Sequence, residues 1–172
     1  SFMQDKICLI VEPSQSFAFA IQTTLQQMGI PHPQFYITRR IQDAKRILAE
    51  KKPKMLITEF AIDGHYAMDL IEMHSRLYEL KDRISFINTL HNSDSAVAEA
   101  SEGEVDGYLL KPFAMNIFQQ KIEQILLQKI HPSEYLTKIN IGKRHYLNSD
   151  FEKAVHEFLE AKPLNEKPAL AC

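Results

Sequence analysis

The sequence predicts an α/β fold: a five-stranded, parallel, doubly wound sheet, followed by a smaller C-terminal α-helical hairpin. Three observations predict it. Short apolar runs alternate five times with amphipathic segments over about the first 130 residues. The opening run, Ile7-Cys8-Leu9-Ile10-Val11, is continuous rather than alternating, the pattern of a strand covered on both faces. The connections are short, as successive strand–helix units packed on one sheet require.

After the first strand, Ser14 is placed to cap a helix with the stripe Phe17, Ala20, Ile21, Thr24, Leu25 and Met28, ended by Gly29. Pro31-His32-Pro33 turns the chain into a short strand, Phe35-Tyr36-Ile37. Thr38 can cap a second helix, with Ile41, Ala44, Ile47 and Leu48 inward and Lys52-Pro53 closing it. The third strand is Met55 to Glu59, followed by a loop through Asp63-Gly64. Met68, Ile71 and Leu77 face inward on a third helix. Ile84 to Asn88 reads as strand four and 93–102 as a weaker, Ala-rich helix. Gly107-Tyr108-Leu109-Leu110 is strand five. The helix after it carries Ile117, Phe118, Ile122, Ile125 and Leu126 and runs to about Ile130.

His131-Pro132-Ser133 marks a boundary between 1–130 and 131–172. Two helices follow, from about Glu134 to Leu147 and from Phe151 to Ala161, with a break at Asn148-Ser149-Asp150. A piece of about forty residues buries little core alone, so it needs the first domain, another copy or further repeats to pack against.

The chain of 172 residues is 45% hydrophobic and 24% charged, which suits one globular domain with a smaller appendage. A formal net charge of -2 gives no electrostatic case for nucleic acid as the main ligand. No apolar stretch approaches the roughly 18 residues of a membrane span, and no secretory signal is expected. Cys8 and Cys172 give no disulfide framework, so a reducing, cytoplasmic setting is expected.

Open parallel sheets bind ligands beyond the carboxyl ends of their strands. Glu12 follows strand one, Glu59 ends strand three, Thr89 follows strand four, and Lys111 follows strand five. These four residues outline one charged pocket. With Lys111-Pro112-Phe113 they carry a resemblance, over residues up to about Ile130, to the CheY-like receiver domain of bacterial response regulators, which has a flavodoxin-like fold. The resemblance implies a phosphorylation pocket. Acids at positions 12 and 13 would help hold magnesium, position 59 would accept the phosphoryl group, and Thr89 and Lys111 would contact its oxygens. It also implies that Tyr108 changes rotamer with Thr89 on activation and that the Lys111–Pro112 bond is cis.

Two positions depart from that pattern. Glutamate, Glu59, stands where the acceptor aspartate belongs, and Pro13 replaces the second acid. Phosphoryl transfer to a carboxylate needs neutralisation by a divalent ion and a cation, because nucleophile and phosphoryl oxygens are both negative. Pro13 offers magnesium no side-chain ligand. Glu59 reaches roughly 1.5 Å further than aspartate, into the space of the incoming group. No cofactor is therefore expected, and Mg2+ binding is disfavoured. Glu59 either fixes an active-like state by pairing with Lys111 or marks a dead site with a buried ion pair. Asp63, in the following loop, is the substitute acceptor to consider.

In the C-terminal piece, Gly142, Ala154 and Ala161 fall at the spacing of small residues in a tetratricopeptide repeat, with Phe158 as the large residue between the last two. The segment resembles that helix–turn–helix unit of 34 residues. Departures are His145, where an aromatic is usual, and an early Pro163. The resemblance implies the start of a longer, protein-docking array; the residue pattern alone also fits a generic helical hairpin.

The seven histidines show no metal-ligand spacing, and His65 and His74 on the third helix are expected to be surface or half-buried. No G-x-S-x-G, phosphate-binding glycine loop or dinucleotide fingerprint is present, so an enzyme is not expected. The expected function is a non-catalytic bacterial signalling adaptor, a pseudo-receiver of the two-component type coupled to a protein-docking repeat. Its expected partners are other signalling proteins, with no nucleic acid and no membrane. The face formed by 93–102, strand five and the following helix is a candidate homodimer surface. The alternative is a working phosphorelay receiver that accepts a phosphoryl group at a non-standard site.

Overall fold

The computed structural model describes residues 6–90 and 105–165. The helix expected over 93–102 lies outside them. The chain divides into two compact units, Ser1–Ile125 and Leu126–Cys172.

In the first unit the elements are β1 (Cys8–Val11), α1 (Gln15–Gln27), β2 (Phe35–Thr38), α2 (Ile41–Lys51) and β3 (Met55–Glu59). A small ribbon, β4 (Ala61–Ile62) and β5 (His65–Tyr66), precedes α3 (Met68–Leu77), β6 (Ile84–Thr89) and β7 (Gly107–Leu110). α4 (Met115–Ile130) begins in this unit and continues past its last residue, Ile125. The main sheet has the order β2-β1-β3-β6-β7, and every pair is parallel. This is the flavodoxin-like receiver fold. Strand order reverses between β1 and β3, so the ligand crevice of such a sheet opens at their carboxyl ends.

Register distributes the core. Leu9 pairs with Leu56 and Val11 with Thr58, and these strands pack with α2 and α3 through Ile41, Ala44, Leu48, Leu70 and Ile71. Ile10 pairs with Ile57 and Ile57 with Phe86 on the opposite face. There the Phe86 ring meets Phe118 of α4 edge-on, with centroids 5.4 Å apart. A side chain at Gly107 would press on Phe86 and Ile125, so this strand start takes glycine because of close packing. Parallel strands buried on both faces carry apolar runs without alternation, which is why β1, β3 and β6 are buried at every position.

Several local expectations change. Thr38 ends β2 and does not cap α2; its hydroxyl accepts from the Arg40 N–H, and Arg40 precedes the helix without a side-chain cap. Ala18 and Gln22 are buried on α1, whereas Ile117 on α4 is exposed. The loop through Asp63-Gly64 is the tight turn of the β4–β5 ribbon, with positive φ at both residues.

His65 is exposed as expected, but His74 is fully buried. Its Nε2 donates to the Pro53 carbonyl at 3.0 Å, and its Nδ1 meets the Ser85 hydroxyl at 2.8 Å. Arg83 Nη1 also donates to Ser85, at 2.8 Å. A carbonyl can only accept, so Nε2 carries a proton. Burial is tolerated because the imidazole is satisfied on both sides.

The second unit is an antiparallel pair, α5 (Glu134–Leu147) and α6 (Phe151–Ala161). Ser133 caps α5 through the Leu136 N–H, and Ser149, with a φ of 60°, turns the chain between the helices. Tyr135, Ile139 and Ala161 form its core, with Leu136 and Phe158 packed against them. A Cβ at Gly142 would collide with the Phe158 ring, so the helices approach closely only because that residue is glycine. Lys138 of α5 bridges Glu157 and Glu160 of α6. Phe151, Val155 and Leu159 lie at i, i+4 and i+8 and are all exposed, leaving an apolar stripe along α6. Among the described residues no helix is long and apolar enough to cross a membrane.

Candidate functional site

Three of the four predicted pocket residues meet through their side chains. Glu59 closes β3 and pairs in register with Asn88 of β6; Glu12 follows Val11, whose partner is Thr58, and so stands level with Glu59. Lys111 follows β7, and its backbone N–H is held by the Thr89 carbonyl at 2.7 Å. From there the Lys111 ammonium donates to Glu59 Oε2 at 2.6 Å and to Glu12 Oε2 at 2.7 Å. The Lys111–Pro112 bond is cis.

The cluster is secluded. Side-chain exposure is 2% for Glu12, 5% for Glu59 and 11% for Lys111. The Phe17 ring of α1 lies under the ammonium, 4.6 Å from nitrogen to centroid, and packs edge-on against Phe113. Two carboxylates face one ammonium, so a negative charge is left over. Hydrogen-bond donors offset it. The Ser14 N–H donates to Glu12 Oε1 at 3.1 Å, and the Phe60 N–H to Glu59 Oε1 at 2.9 Å. Asn88 Nδ2 donates to Glu12 Oε2 at 3.3 Å. Buried ions persist only when paired and hydrogen-bonded in this way.

The remaining predicted residues stand differently. Pro13 is exposed at the entry to α1. Thr89 is buried at the end of β6. Tyr108 is 41% exposed on β7. Asp63 sits exposed on the ribbon turn and takes no part in the ion-pair cluster.

Asn88 and Phe17 belong to the site and were missed from sequence. Asn88 carried a signal: an amide inside the otherwise strand-forming run Ile84-Ser85-Phe86-Ile87-Asn88 is costly to bury without purpose. Its Oδ1 is buried with no hydrogen-bond partner among the described residues. Phe17 gave no such signal, since its place on the α1 stripe reads as core.

No protein-family model matches the sequence, and no curated protein does. Solved structures do match. The receiver domain of a CheY-like response regulator from Methanospirillum hungatei is 15% identical, with a TM-score of 0.62 over 72% of this chain and 95% of that one. A response-regulator receiver domain from Bermanella marisrubri is 19% identical, with a TM-score of 0.57 over 69% and 96%. An orphan response regulator of H. pylori is 14% identical, with a TM-score of 0.59 over 71% and 97%. These likenesses establish the receiver fold of this chain.

Proposed function

We propose that the chain is a non-enzymatic signalling adaptor of the two-component type: a receiver-fold domain whose pocket is closed by its own ion pairs, joined to a helical hairpin that docks other proteins. One observation carries this reading: the Lys111 ammonium is engaged by Glu12 and Glu59 together. In a receiver pocket that lysine must be available to a phosphoryl oxygen. Here Glu59 supplies the anion permanently.

The residues do not suit a resident magnesium ion. One oxygen each of Glu12 and Glu59 already accepts from Lys111, and Pro13 has no side-chain oxygen to add. A divalent ion would have to displace an ammonium that is paired twice. Asp63, on an exposed turn and unassociated with a buried cation, is a poor substitute acceptor.

The hairpin supports the docking half of the proposal. Small residues at 142, 154 and 161 are buried, and Gly142 and Ala161 pack with Phe158, which supports a tetratricopeptide-like unit. The exposed stripe of Phe151, Val155 and Leu159 is the docking surface. A fully buried, free Cys8, its thiol pushed far up by burial, is inert and suits a reducing cytoplasmic setting.

Incubation with acetyl phosphate and Mg2+, followed by intact mass, tests the reading. The wild-type chain should gain no phosphoryl group, whereas the double variant Pro13→Asp/Glu59→Asp should gain one. A phosphorylated wild type overturns the proposal, and Asp63→Asn then shows whether the ribbon turn carries the group.

A further inference from the structure

At the edge of the sheet α1 overhangs β2 and leaves an open groove of ≈ 740 Å³, lined by Gln15, Ala18, Phe19 and Gln22 of α1 and by Ile37 of β2. Two apolar groups face solvent there: Phe19 is 65% exposed and Ile37 43%. Among the described residues β2 pairs with β1 alone. The Thr38 carbonyl is turned toward β1, where it accepts the Glu12 N–H at 3.0 Å. Strand alternation therefore turns the Ile37 N–H and C=O to the open side.

The end of this edge is cationic: α1 and β2 carry no acid, and two arginines follow β2. Arg39 and Arg40 follow β2 directly, and Arg46 stands further along α2. Asp43 is shared between Arg40, at 3.0 Å, and Arg46, at 3.3 Å. Arg39 has no carboxylate partner among the described residues. Arg40 and Arg46 are thus met by Asp43, while the exposed Arg39 at the end of β2 is left for a carboxylate from outside.

We infer that this edge docks an extended acidic segment of a partner protein. The segment's backbone pairs with Ile37, one of its apolar side chains enters the groove between Phe19 and Ile37, and its carboxylates meet Arg39. Charge complementarity selects this occupant. A second copy paired antiparallel through Ile37 would set Arg39 opposite that copy's Phe35, which offers the guanidinium no carboxylate. Nucleic acid is excluded as the best fit because it has no N–H and C=O ladder to match a strand edge. The inference stands apart from the pocket and does not need it to be closed.

Titration of the uniformly 15N-labelled full chain with the synthetic peptide acetyl-Glu-Val-Phe-Val-Glu-Asp-amide tests it, with a counterpart in which every acid is lysine. The acidic peptide should shift amide signals of residues 15–22 and 35–39 saturably, and the basic one should not. Phe19→Ser, a change at an exposed position, should abolish the shifts while leaving the rest of the spectrum intact. Arg39→Glu should weaken binding about tenfold at low salt. The inference is overturned by no shifts at millimolar peptide, by shifts centred elsewhere, or by an equal response to the basic peptide. Shifts of these same signals with protein concentration alone would also overturn it, because they identify a second copy as the occupant.

Discussion

The Lys111 ammonium stands 2.6 Å from the Glu59 carboxylate, and the same nitrogen holds Glu12 at 2.7 Å. One cation serves two buried anions. Removing the cation therefore damages the pocket more than removing either anion.

Lys111→Met should destabilise the first unit by about 3–5 kcal/mol, because two carboxylates are left buried with hydrogen bonds but no counter-charge. Glu59→Gln should cost only about 1 kcal/mol, since Lys111 keeps Glu12 and the new amide can still accept from the Phe60 N–H. Urea unfolding midpoints of the two variants check the order. Equal losses would contradict the shared-cation picture.

Asn88→Asp adds a third carboxylate beside Glu12 without adding a cation. A loss of about 3 kcal/mol at neutral pH is expected. Asn88→Val removes a buried oxygen that has no partner among the described residues, together with one long hydrogen bond, so its stability should stay within about 1 kcal/mol of wild type. Thermal unfolding of both variants gives the comparison.

Gly142→Ala offers a test by sign. Helix propensity alone would raise stability by about 1 kcal/mol. The Phe158 ring occupies the space of the new methyl, so a net loss of about 1–3 kcal/mol is expected instead. In a Phe158→Leu background the same substitution should lose most of that penalty, which a double-mutant cycle measures.

The hairpin should also respond to acid and strong base. A hydrogen bond from Lys153 holds the Asp150 carboxyl below its ordinary 3.8, and one from Lys138 holds Glu160 below 4.5. Depressed carboxylates contribute stability that is present above those ordinary values and lost as pH falls through the shifted ones. Lys138 is raised above 10.5 because its ammonium donates to Glu160 and stands beside the Glu157 carboxylate, so its contribution is present below 10.5 and lost as pH rises past the shifted value. Helicity by circular dichroism should thus be flat through neutrality and fall at both ends. These pairs are exposed, so high salt should flatten the profile.

What could be read from the sequence was whatever a local pattern specifies. Met55–Glu59 and Gly107–Leu110 stood out because turn residues bound them, and α5 and α6 because Ser133 and Asn148-Ser149-Asp150 punctuate them. The ion pairs followed from strand ends alone: Glu12, Glu59 and Lys111 had to converge once the sheet was parallel. Two-residue strands such as β4 and β5 have no period to detect, although Asp63-Gly64 was a hairpin signal. The burial of His74 depends on Ser85 and Pro53, 11 and 21 residues away, which no local window contains. Asn88 was passed over for its neighbour Thr89 because the expected pattern placed function one residue later.

Thermal unfolding with Mg2+ and beryllofluoride, a phosphoryl mimic, tests the closed pocket most directly. With Lys111 held by Glu59 and Glu12, the melting temperature should not move at any concentration of the pair. A saturable rise that requires Mg2+ would mean that the lysine is free to take a phosphoryl oxygen, and would contradict the account.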